Sequence, residues 1–299
     1  MILKHQAGNL IPGENFSFIN RILKGFGQIM LQENALTGLL FLAGIFLGSL
    51  TMGVAALLAA VSGTVTAIVL KYDRENTDKG LYGFSASLTG VALMLFFKPA
   101  PAVWLFVICG SVMAAMIQHF FIKRNMAVYT LPFVLVTWLI YLFLRYGFPG
   151  LLVPAASADP VYSHFLFPLR GFGQVIFQEK VFSGLLFFTA VFISSPLAAV
   201  YGLAGALLSG ILSQYLAVEP ESISRGLLSF NAVLCAILFS GNQFRNAAGA
   251  LVSVLLSLII SVTMLRYNLI QLTFPFVAAS VITLFIGKVY QTVRSGSNR

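Results

Sequence analysis

Apolar runs of about 20 residues recur along the chain, each closed by a short polar stretch, a pattern that reads as helices crossing a bilayer. The first half predicts spans over roughly 34–50, 52–70, 80–97, 101–122 and 126–146. The second predicts them over roughly 181–196, 198–217, 226–241, 246–265 and 269–290. Between them lie polar breaks, the longest running from Lys71 to Lys79. Two stretches fit no span. Residues 15–32 and 163–178 have helical character, but Asn20, Arg21, Lys24, Gln28 and Gln32 make the first too polar and too short to cross. Such a helix either lies in the interface as an amphipathic anchor or dips in and returns, which requires protein or a watery cavity to cover its exposed backbone. Residues 1–13 read as a poorly ordered polar start and 147–162 as a Pro/Ala/Ser-rich linker.

The pattern is duplicated. Ten of seventeen positions are identical between Gly25–Phe41 and Gly171–Phe187. The stretch Gly80–Leu88 returns as Gly226–Leu234, and Thr130-Leu131-Pro132-Phe133 as Thr273-Phe274-Pro275-Phe276. Three blocks in one order mean a duplicated chain, with a first repeat over 1–146 and a second over 163–299. Five spans per half is an odd number, so the halves are expected in opposite orientations. The fold class read here is an all-α multi-pass membrane protein, an inverted repeat with five spans and one re-entrant half-helix in each half. In that architecture the functional site lies between the halves near the midplane.

Composition sharpens the class. Hydrophobic residues make up 59% of the chain and charged ones 9%, against about 25% charged in soluble domains. The net charge of +9 fits basic cytoplasmic loops better than a nucleic-acid partner, and none is expected. With ten spans, twelve of the Lys and Arg residues fall on the side of the N-terminus and six on the other, which places both termini in the cytoplasm. The first strongly apolar run starts near Leu36, too far in for a cleavable signal peptide. Cys109 and Cys235 lie in apolar runs, and His5, His119 and His164 are scattered. No metal spacing, cofactor motif or catalytic constellation is read.

All nine acidic residues, and every Lys and Arg, fall outside the interiors of the predicted spans. An ion-coupled pump ordinarily keeps ionisable groups there, so the expected passenger is small, neutral and polar. Backbone carbonyls and helix ends also bind sodium, so an ion-coupled carrier stays open as an alternative. So does a channel for another neutral solute such as water or ammonia. Gln28 and Gln174 occupy equivalent positions, and an amide offers donors and an acceptor. They read either as pore lining or as helix-packing contacts. Glu33 and Glu179 read as helix-end residues. Phe84 with Leu88 and Phe230 with Leu234 are four apart, on one helical face each. They form core or the walls of a flat slot for a planar solute. Thr130 and Thr273 each stand two residues before a proline, which frees the carbonyls of Val128 and Gln271. Hydroxyl and carbonyls together would make a polar constriction.

These motifs together resemble the urea transporter family, bacterial branch. They are Gly27-Gln28 with Leu31 and Gly38, Gly83–Gly90 and Thr130–Phe133, answered by Gly173-Gln174 with Phe177 and Gly184, Leu228–Leu234 and Thr273–Phe276. The resemblance spans roughly residues 15–290. It implies passive, channel-like movement of urea through a pore in each protomer of a homotrimer, in the inner cell membrane. It further implies that Phe84, Leu88, Phe230 and Leu234 line two slots, with Ile29 and Val175 as apolar wall. Gln28 and Gln174 would lie at the re-entrant helix ends, and Thr130 and Thr273 at the centre. Leu31 stands where the family often has an aromatic, which Phe177 keeps, and Ser85 replaces the Asn retained as Asn231. The resemblance therefore implies two unequal slots.

Overall fold

The computed structural model describes residues 17–154, 165–216 and 218–296. The expectation of a disordered start and the second half of the linker fall outside these. The described first half holds α1 (Ser17–Gln28), α2 (Ala35–Gly48), α3 (Leu50–Val69), α4 (Arg74–Asp78), α5 (Phe84–Phe96), α6 (Pro101–Lys123) and α7 (Leu131–Gly147). The second holds α8 (Phe167–Gln174), α9 (Val181–Ser194), α10 (Pro196–Ser213), α11 (Pro220–Ser224), α12 (Phe230–Leu238), α13 (Phe244–Arg266) and α14 (Phe274–Gly296). A 3-10 turn at Pro149–Leu151 leads to a single antiparallel bridge between Phe97 and Leu152.

Ten spans are predicted from sequence, but among the described residues five helices are long and apolar enough to cross a membrane. They are α3, α6, α10, α13 and the Phe274–Thr292 part of α14. Of the other five, α5, α7 and α12 begin late, after turns at identifiable residues. Gly80, at φ 76°, turns the chain before α5, and Gly226, at φ 78°, does so before α12. Tyr129 and Leu272, at φ 49° and 44°, do the same before α7 and α14. At about 1.5 Å per residue, the 13 residues of α5 reach about 20 Å, short of a hydrocarbon core of about 30 Å. The two short helices α5 and α12 are buried along most of their length. Phe84 through Met94 and Phe230 through Ile237 are all buried. Protein rather than lipid covers their ends, the condition under which irregular backbone survives at membrane depth.

The polar stretches form α1 and α8, each followed by a tight return. Gln32 N–H donates to Gly27 O at 3.0 Å, and Gln178 N–H to Gly173 O at 2.9 Å. The side-chain amides of Gln32 and Gln178 close the same turns onto Met30 O and Ile176 O. The return leaves no space beside the glycines. A Cβ on Gly27 would stand 2.4 Å from Gln32 O, and one on Gly173 would stand 2.3 Å from Gln178 O. Leu31 and Phe177 sit in the left-handed region at φ 62° and 56°. Such strain persists where surrounding bonds over-determine it.

The halves meet along α2 and α9, and the contacts are reciprocal. Thr37 Oγ1 donates to Ala190 O at 3.0 Å, and Ser183 Oγ donates to Gly44 O at 2.9 Å. Phe41 and Phe187 meet edge to face between them, centroids 5.3 Å apart. Thr37 and Ser183 are equivalent positions of the duplication, as are Gly44 and Ala190. One apolar cluster joins the halves and contains Ile29, Phe84, Leu88, Phe133, Val175, Phe230, Leu234 and Phe276.

Candidate functional site

Thr130 and Thr273 meet in this cluster. Their hydroxyls are 2.6 Å apart, and both side chains are buried. Each threonine precedes its helix by one residue, with proline in the helix's first turn. The carbonyls freed by those prolines are not bare. Val128 O accepts the Leu131 N–H at 2.9 Å, and Gln271 O accepts the Phe274 N–H at 3.1 Å. The chain tightens into a three-residue turn there, so each carbonyl keeps one lone pair rather than two.

On the first-half side of the threonines lies a cavity of about 150 Å³. Its walls include Ile29, Leu31, Phe84 and Phe276, and its polar edge includes Gln28, Gln118, Tyr129 and Thr130. None of its lining residues is Asp, Glu, Lys, Arg or His. The return after α1 carries Ile29 and Leu31 into it. The turn before α7 carries Val128, Tyr129 and Thr130.

Of the residues singled out in the sequence, Gln28, Leu31, Phe84 and Thr130 thus share one cavity. Ile29, read as apolar wall, lines it too, and the remaining ones lie elsewhere. Leu88 is fully buried one turn further along α5, and Thr273 stands behind Thr130. Gln174, Val175, Phe230 and Leu234 are buried in the second half, while Phe177 packs 6.1 Å from the ring of Phe133. The two glutamines are held alike. Gln28 Nε2 donates to Lys79 O at 3.1 Å and Gln174 Nε2 to Arg225 O at 3.2 Å. Glu33 pairs with Lys24, and Glu179 with Arg225, at the ends of the two returns.

Gln118, Tyr129 and Phe276 line the cavity without having been singled out. Phe276 was visible as the last residue of the second Thr-x-Pro-Phe block. Gln118 gave no such signal, because residue 264 of the second half is Met. Its neighbour His119 turns away from the cavity, stacking on Tyr72 at 3.6 Å with Nδ1 3.2 Å from the Tyr82 hydroxyl.

The halves differ around this centre. In the second, Asn231 clamps the turn before α14: Nδ2 donates to Leu272 O at 3.3 Å, and Oδ1 accepts the Phe276 N–H at 3.1 Å. Trp138 Nε1 donates to Ile270 O at 2.9 Å. The first half has Ser85 in place of Asn231 and Val281 in place of Trp138. There, among the described residues, the equivalent carbonyls of Ala127 and Tyr129 accept no hydrogen bond. Both residues are among those lining the cavity.

The sequence model of a family described as urea transporter matches residues 19–288. The chain belongs to the urea transporter family. Over 243 residues it is 29% identical to Urea transporter 1 of Rattus norvegicus, a match covering 75% of this chain and 63% of that protein. Over 296 residues it is 26% identical to Urea transporter 1 of Ovis aries, covering 90% of this chain and 77% of that one. The match thus spans less than two thirds of the rat protein's length.

Proposed function

We propose that this chain conducts urea passively, down its gradient, past the Thr130–Thr273 contact. The observation that carries the reading is the cavity against that contact. Its faces are apolar and flat, from Phe84, Phe276 and Leu31, and its edge is lined by amide, hydroxyl and carbonyl groups. Urea is planar, neutral and ringed with N–H donors. Aromatic faces cover its plane while oxygens at the rim replace the water it sheds. An unreplaced hydrogen bond costs about 1–3 kcal/mol in a buried site, so each rim acceptor lowers the barrier to entry. No charged residue is among those lining the cavity to anchor an ion there.

The remaining features of the proposal follow from the duplication and from family membership. The equivalent returns after α1 and α8 and the reciprocal α2–α9 bonds support a pseudo-two-fold arrangement with the halves inverted across the membrane. The assembly proposed is a homotrimer in the inner cell membrane with a conduit in each protomer and both termini cytoplasmic. Phe230, Leu234, Gln174, Val175 and Phe177 would then serve the second-half mouth as Phe84, Leu88, Gln28, Ile29 and Leu31 serve the first.

Radiolabelled urea flux into liposomes carrying the purified protein tests the reading. Flux well above protein-free liposomes, indifferent to proton and sodium gradients, is the expected result. Strict dependence on either gradient would overturn it in favour of a coupled carrier.

A further inference from the structure

The cavity edge contains a donor that the duplication does not account for. Gln118 lies on α6, buried, with its side chain lining the cavity opposite the return that carries Gln28. Its Oε1 accepts the Ser85 hydroxyl at 3.4 Å. Its Nε2 has no protein partner among the described residues. Gln28 is set the other way round. One hydrogen of its Nε2 goes to Lys79 O, while its oxygen accepts no hydrogen bond among the described residues and is left for a solute. The two glutamines therefore offer opposite chemistry to one space: Gln28 an acceptor, Gln118 a pair of N–H donors.

On the urea reading, this division matches the two ends of the solute. The N–H groups of urea have acceptors in Gln28 Oε1 and in the unclaimed carbonyls of Ala127 and Tyr129. Its carbonyl oxygen requires a donor. The threonine hydroxyls bond each other at 2.6 Å, which uses one of their two hydrogens. We propose that Gln118 Nε2 donates to the carbonyl oxygen of urea at the first-half mouth, and that this contact selects a strong oxygen acceptor over weaker ones. Ser85 matters to the proposal through its hydroxyl. By donating to Oε1 it holds the amide with nitrogen toward the cavity. Asn231, its counterpart, is instead committed to the backbone of the turn before α14.

Thiourea is the probe. It keeps the plane and the N–H donors of urea but replaces the oxygen with sulfur, a poor acceptor. Fluxes of both solutes are measured with full-length protein in liposomes, at concentrations low enough for rate to be proportional to concentration. Gln118→Leu is expected to lower urea flux about ten-fold, with a smaller fall for thiourea, so the urea-to-thiourea ratio drops. Gln118→Glu keeps the size and the Ser85 contact but removes both donors, and is expected to lower the ratio as well. It decides the matter if the leucine variant fails to incorporate. An unchanged ratio in Gln118→Glu would show the oxygen end facing the solute and overturn the proposal. A ratio that falls in Tyr129→Phe and not in the Gln118 variants would assign the donor to the tyrosine hydroxyl, and also overturn it. Absence of urea flux in the unsubstituted protein would instead defeat the urea reading itself.

Discussion

Thr130 and Thr273 lie 143 positions apart and end up with their hydroxyls 2.6 Å from each other. A hydroxyl both donates and accepts, so each can release the other to a passing solute and take it back. Thr130→Val keeps the shape and removes that exchange, stranding the Thr273 hydroxyl in an apolar cluster. Urea flux is expected to fall about ten-fold, and Thr130→Ser to restore most of it; equal flux in the valine variant would remove the threonines from the path. The threonines and Gln28 were legible in the sequence because duplication marks a residue twice. Gln118 and Tyr129 were not, since their chemistry depends on what the fold brings opposite them. The bare carbonyls expected at Val128 and Gln271 failed for a local reason. The chain before each proline coils into a tighter turn and uses the freed acceptor.

At the level of elements, the returns after α1 and α8 depend on how closely backbones approach. Gly38 on α2 sits where a Cβ would stand 1.7 Å from Leu23 O of α1. The obstacle is backbone and has no rotamer to yield. Gly38→Ala is expected to destabilise by about 2 kcal/mol, read as a lower unfolding temperature in detergent. Gly287→Ala on α14, with nothing within 4 Å of its Cβ, serves as the comparison and should leave that temperature unchanged or slightly raised. The sequence located the elements well and their ends poorly. Residues 80–97 read as one span because the run is continuously apolar, yet Gly80 bends the chain and α5 waits until Phe84. Hydropathy reports where a segment is buried, and it cannot tell lipid from protein as the burying medium. That is why the short buried helices α5 and α12 looked like full spans.

At the level of the whole molecule, charge is kept out of the interiors of the long apolar helices α3, α6, α10 and α13. Near α4, the hydrogen bond that Lys79 donates to Glu75 raises the lysine's pKa above the ordinary value of 10.5. A raised lysine pKa gives stability that is complete below that ordinary value and is lost only as pH climbs through the raised one. The Lys79 carbonyl that holds Gln28 is therefore undisturbed near neutrality, and no cavity-lining residue titrates there. Urea flux should stay flat from about pH 6 to about pH 8. A step within that interval would draw in His119 through its contact with Tyr82.

The unequal clamps on the two central turns have a consequence for kinetics. Asn231 and Trp138 fix the second-half turn by its carbonyls, while the first-half turn leaves its own open. The two mouths should then hold solute with different affinity, so half-saturation measured by loading from one face should differ from that measured from the other. A conduit without an energy source must nevertheless bring its solute to equal concentration on both sides. The quotient of maximal rate and half-saturation is therefore bound to be identical in the two directions, and a mutation that changes that quotient for one face must change it equally for the other.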